Sequence, residues 1–149
     1  MKISFPLMAY VIAFIAGSVM AVQGSLNSAL SKIIGLLEAT FIVHVVGTLI
    51  TLVLLLGFRL GEGGLSQILK VPSYLYLGGL LGVFIVYAVV ASIPRLGVAV
   101  ATTVIIVGQV ATALLIDHFG LFGLKEVPFT WWKVLGLILL AAGAGIMLN

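Results

Sequence analysis

Charged side chains occur at Lys2, Lys32, Glu38, Arg59, Glu62, Lys70, Arg95, Asp117, Lys125, Glu126 and Lys133, and nowhere else. The stretches between them are uncharged and mostly apolar. Several reach the roughly 20 residues that a helix needs to cross the hydrocarbon core of a bilayer. With 7% charged residues against 63% hydrophobic ones, the chain lacks the polar surface of a water-soluble domain, which carries about 25% charge. The expected fold is therefore an all-α membrane protein of five transmembrane helices, spanning about 5–22 or longer, 39–58, 73–93, 96–116 and 131–148. These spans leave no room for a second domain, so residues 1–149 are expected to form a single bundle. The one linker-like stretch is 60–70, "LGEGGLSQILK".

Residues 1–21 have the outline of a secretory signal peptide, with a basic start, an apolar run and a V-x-A ending. Four more spans follow, and the apolar run exceeds the usual core of about 7–15 residues. Ser4 followed by Pro6 also reads as a helix start. The first span is thus expected to remain in the protein. Its orientation follows from the lysines and arginines. Five spans put Lys2, Arg59, Lys70, Lys125 and Lys133 on one side and Lys32 and Arg95 on the other, which places the N-terminus in the cytoplasm and the C-terminus outside.

Polar residues inside a span face a partner or an aqueous cavity. Helical periodicity sorts them into stripes. If the first helix continues past Val22, then Gln23, Asn27 and Ser31 share one face. In the second, Thr40, His44, Gly47, Thr48 and Thr51 form a polar stripe opposite valine, leucine and isoleucine. The third aligns Tyr76 with Tyr87, and the fourth aligns Thr102 with Gln109, near Thr112. Gln23, Asn27, His44, Tyr87, Thr102 and Gln109 are the candidate pathway residues. His44 is the only titratable side chain deep in a span. Threonine also bonds its own helix's carbonyls, so part of each stripe is packing. Glu38 suits the positive end of the second helix, and Asp117 and His118 read as closing the fourth. Gly78 and Gly82 form a G-x-x-x-G pair, and Ala141, Gly143 and Gly145 give the last helix a small-residue face for close packing. Gly47, Gly108 and Gly120 join the packing set.

With no cysteine and two histidines, no metal-ligand spacing arises, and no cofactor is expected. The small net charge of +3 lies in loops, which fits topology rather than nucleic-acid binding. No nucleophile–base pair or acidic dyad stands at catalytic spacing, so the chain does not read as an enzyme.

The runs "AVQGSLNSAL", "VGTL", "LGGLLGVFIV" and "IPRLGVAVATTVIIVGQVATALLIDHFGLFG" resemble the YdcZ-like branch of the drug/metabolite transporter superfamily. The resemblance spans nearly the whole chain and is most specific from Pro94 to Gly123. It places Gln23, Asn27, Gly108, Gln109, Asp117 and Gly120 at motif positions, whereas His44 departs from the pattern. It implies a five-helix unit equivalent to half of an inverted-repeat bundle. A second copy, or an oppositely oriented paralogue, would complete it as an antiparallel dimer in the bacterial inner membrane, with helices 1 to 4 lining a cavity at the dimer interface. Small multidrug exporters of the superfamily hold cations with a membrane-embedded carboxylate. No acid lies within a span here, so a neutral or zwitterionic metabolite is the expected cargo. The competing expectation is a structural or assembly protein of the membrane that transports nothing.

Overall fold

The computed structural model describes residues 5–147, which are mostly helical, with no strand among them. The expected cap at Ser4 and the end of the fifth span at 148 lie outside the described residues. Helix α1 is Phe5–Ile34, α2 is Leu36–Leu52, α3 is Leu77–Leu96, α4 is Val98–Phe119 and α5 is Trp131–Met147. The first four, with α2 and α3 each lengthened by an adjoining turn, are long and apolar enough to cross a membrane. With 17 residues, α5 stands at the lower end of the spanning range.

The first helix runs 30 residues, well past the apolar run that suggested it. Its polar end stays helical because the serines satisfy themselves on their own helix. Ser25 Oγ donates to the Ala21 carbonyl at 2.8 Å and Ser31 Oγ to that of Ser28 at 2.8 Å. No loop then separates α1 from α2. Gly35 is the whole connection, at φ 101° and ψ 156°, a region of backbone space essentially restricted to glycine. The chain passes from α3 to α4 in the same way, through Gly97 at φ 79° and ψ 160°. In both places the glycine carbonyl accepts the N–H of a buried alanine, Ala39 at 3.0 Å and Ala101 at 3.1 Å.

The contacts within the chain group into two compact units, Met1–Arg95 and Leu96–Asn149. In the first unit α1 packs on α2, with Ala39, Thr40, Val90 and Ile93 buried. Gly24 receives the tips of α3: a methyl built on it would stand 3.1 Å from Ile93 Cδ1 and 3.2 Å from Val89 Cγ1. The end of α2 widens into a π turn, Val53–Gly57, and short 3₁₀ turns at Gly64–Lys70 and Ser73–Tyr76 lead into α3. Because α3 begins only at Leu77, Tyr76 is outside it and bonds the Ile68 carbonyl through its hydroxyl. The expected alignment of Tyr76 with Tyr87 is therefore broken.

In the second unit α4 packs on α5, burying Ala101 and Ala144. Thr103 Oγ1, within 2.8 Å of the Ala99 carbonyl, also reaches Met147 Sδ at 3.3 Å. Helix α4 stops at Gly120, a left-handed cap at φ 57°. A side chain there would sit 3.2 Å from the Leu124 carbonyl. The chain then returns along the helix end, where Val127 N–H donates to the Asp117 carbonyl at 2.7 Å. Thr130 Oγ1 accepts from Lys133 N–H at 3.4 Å as α5 begins, the role of an N-cap hydroxyl.

Candidate functional site

The first unit carries an open cavity of about 520 Å³. One wall is the polar stripe of α2, His44, Gly47, Thr48 and Thr51, with Val43, Leu52 and Leu55 beside it. Gln23 of α1 and Val86 of α3 complete the lining. Residues 23 and 47 are equidistant in sequence from Gly35, so the turn at that glycine folds α1 back along α2 and sets their polar faces together. The helical spacing that grouped the stripe is the spacing that aims it into one space.

Each polar group has a definite hydrogen-bonding character. Thr51 Oγ1 donates to the Gly47 carbonyl at 2.8 Å, which leaves its lone pairs for the cavity. Thr48 and Gln23 make no side-chain hydrogen bond among the described residues, so each keeps a donor and an acceptor free. His44 Nδ1 stands 2.7 Å from the Thr40 carbonyl oxygen. A carbonyl only accepts, so Nδ1 carries the hydrogen, and in the neutral ring Nε2 holds the lone pair. No charged side chain is among the lining residues.

The other sequence candidates lie elsewhere. Asn27 sits one turn beyond Gln23 but is 8% exposed, beside Ser28 at 4%, and does not line this cavity. Tyr87 is next to the lining Val86 on α3, and its ring is 41% exposed. Thr102 and Gln109 are on α4 in the second unit, where neither makes a side-chain hydrogen bond among the described residues. At Gly47, Gly78, Gly108 and Gly143 an added methyl would meet nothing within 4 Å, whereas at Gly82 it would stand 3.9 Å from His44 Nε2. At the end of α4 it is the Asp117 carbonyl that holds the returning chain, and His118 Nδ1 accepts from Phe129 N–H at 3.4 Å. The His118 ring packs against Phe119 and Phe129. Gly24, which faces Ile93 and Val89 of α3, gave no sequence signal beyond being small.

Polar side chains at membrane depth that converge on one cavity make it the candidate site. The family model described as "Putative inner membrane exporter, YdcZ" matches residues 8–146. The chain belongs to this family. No curated protein and no solved structure matches it. As a YdcZ-family member it is a multi-pass protein of the inner membrane, and the family's description is that of an exporter, a class of transporter.

Proposed function

We propose that this YdcZ-family chain is one subunit of a carrier that moves a small neutral or zwitterionic metabolite across the inner membrane by alternating access, working as an antiparallel dimer. The observation that carries the reading is the convergence of a carboxamide, an imidazole and two hydroxyls on one cavity, in helices whose other faces are apolar. Buried polar groups at membrane depth are costly and mark pathways. The volume of about 520 Å³ suits a small molecule. An uncharged lining favours cargo without net charge, since nothing in it neutralises an ion.

Five apolar helices give an odd span count, so a second copy completes an inverted repeat only by entering the membrane the other way up. The partner is then a second copy of this chain or an oppositely oriented paralogue. The excess of lysine and arginine at the N-terminal side supports a cytoplasmic N-terminus in the majority orientation. The experiment is reconstitution of purified protein into liposomes with a labelled panel of neutral and zwitterionic metabolites. Flux of at least one member, lost in Gln23→Leu, is the expected result. Silence across the panel from folded protein would favour a structural or assembly role.

A further inference from the structure

We propose that Nε2 of His44 is the fixed hydrogen-bond acceptor of the cavity and selects cargo that presents an O–H or N–H to it. This deepens the transport reading and rests on it for the word cargo, though not for the binding itself. The Thr40 carbonyl, 2.7 Å from Nδ1, places the ring hydrogen on that nitrogen and leaves the lone pair on the other. Nε2 has no partner among the described residues. No sealed side-chain nitrogen or oxygen among them is left unpaired, so Nε2 is open to a molecule entering the cavity. On the α3 side it faces Gly82, where even a methyl would stand at 3.9 Å. A glycine at this point leaves the approach to the lone pair uncovered.

The rest of the lining agrees with a donor-bearing ligand. Thr51 has spent its hydrogen on the Gly47 carbonyl and offers only lone pairs. Thr48 and Gln23 can do either. In the neutral state, two of the four polar groups can only accept, and no cation lines the space to hold a carboxylate or phosphate. The matching chemical class is a small uncharged molecule rich in hydroxyl or amide N–H groups. A fully alkylated analogue of the same shape would set its ether oxygens against lone pairs and leave the acceptors unpaired, which costs affinity.

The chain has two histidines, and their geometry assigns them opposite tautomers. His118 Nδ1 accepts from Phe129 N–H, so its hydrogen is on Nε2. Nitrogen-15 spectra of histidine-labelled protein in bilayers, with His118→Gln to assign the signals, should therefore show a protonated Nδ1 and bare Nε2 for His44 and the reverse for His118. A protonated Nε2 in neutral His44 overturns the proposal. Erythritol and its tetra-O-methyl ether are then titrated at millimolar concentrations while the His44 Nε2 signal is followed. Erythritol alone should move it; an equal response to both compounds, or to neither, sinks the idea. His44→Phe should weaken erythritol binding about fivefold to tenfold, the loss of one hydrogen bond, and His44→Gln should restore part of it through its amide oxygen. Gly82→Leu carries a longer side chain across that approach and should weaken binding similarly. A donor-selective shift without any flux in liposomes would keep this inference and remove the transport reading. Flux indifferent to methylation would do the opposite.

Discussion

Gln23 opens onto the cavity, whereas Asn27, one turn along the same helix, is 8% exposed in the seam between packed helices. The same chemical change should therefore have two different outcomes. Gln23→Glu puts a charge where water can follow and should cost under about 1 kcal/mol of thermal stability in detergent. Asn27→Asp buries one without a partner and should cost about 3 kcal/mol or more. Equal losses would mean the cavity is as dry as the seam. Gln23→Leu should change stability by no more than about 0.5 kcal/mol while abolishing flux. Periodicity placed both carboxamides on one face of α1, because direction around a helix is a local property. It could not say that one of them is buried, because depth depends on what packs against the face.

Each of the glycine junctions, Gly35 and Gly97, joins two helices with a single residue in a conformation that other residues avoid. Gly97→Ala meets no atom within 4 Å, so its cost should be the backbone strain alone, about 1–3 kcal/mol. Gly35→Ala carries the same strain and also drives a methyl into the carboxylate of Glu38. It should be the more damaging of the two in thermal melts. Adding Glu38→Ala to Gly35→Ala should recover the difference between them and no more; full recovery would show that the backbone of Gly35 is unstrained. In the sequence, helix ends are read from charge and hydropathy, which leaves the first span at 5–22 or longer and starts the second at 39. The true boundary is a backbone device, one glycine among 18. Glu38 sits in the first turn of α2, the dipole-complementing place that the sequence assigns it.

For the molecule as a whole, the odd number of apolar helices and the five-to-two distribution of basic residues predict a mixed but biased orientation. Reporters fused to the C-terminus should be active mainly outside the cytoplasm, with a minority inverted, or an oppositely biased partner should co-purify. A uniformly oriented chain that stays monomeric in bilayers would remove the antiparallel dimer. The helical membrane fold was legible because it depends on the lengths of uncharged runs, and those are one-dimensional. The α2 wall of the cavity was legible for a similar reason, as His44, Gly47, Thr48 and Thr51 repeat at the helical period. What stayed hidden was the tautomer of His44, which a backbone carbonyl one turn away decides, and the place of Gly24 as the notch for Ile93. The junction at Gly35 also has a mechanical meaning. Ile34 and Leu36 stand only two Cα–Cα steps of about 3.8 Å apart, so the facing ends of α1 and α2 cannot part. The first two helices are pinned end to end at Gly35, free to change their angle there but not to separate, so a wider or narrower mouth to the cavity would come from pivoting α1 against α2.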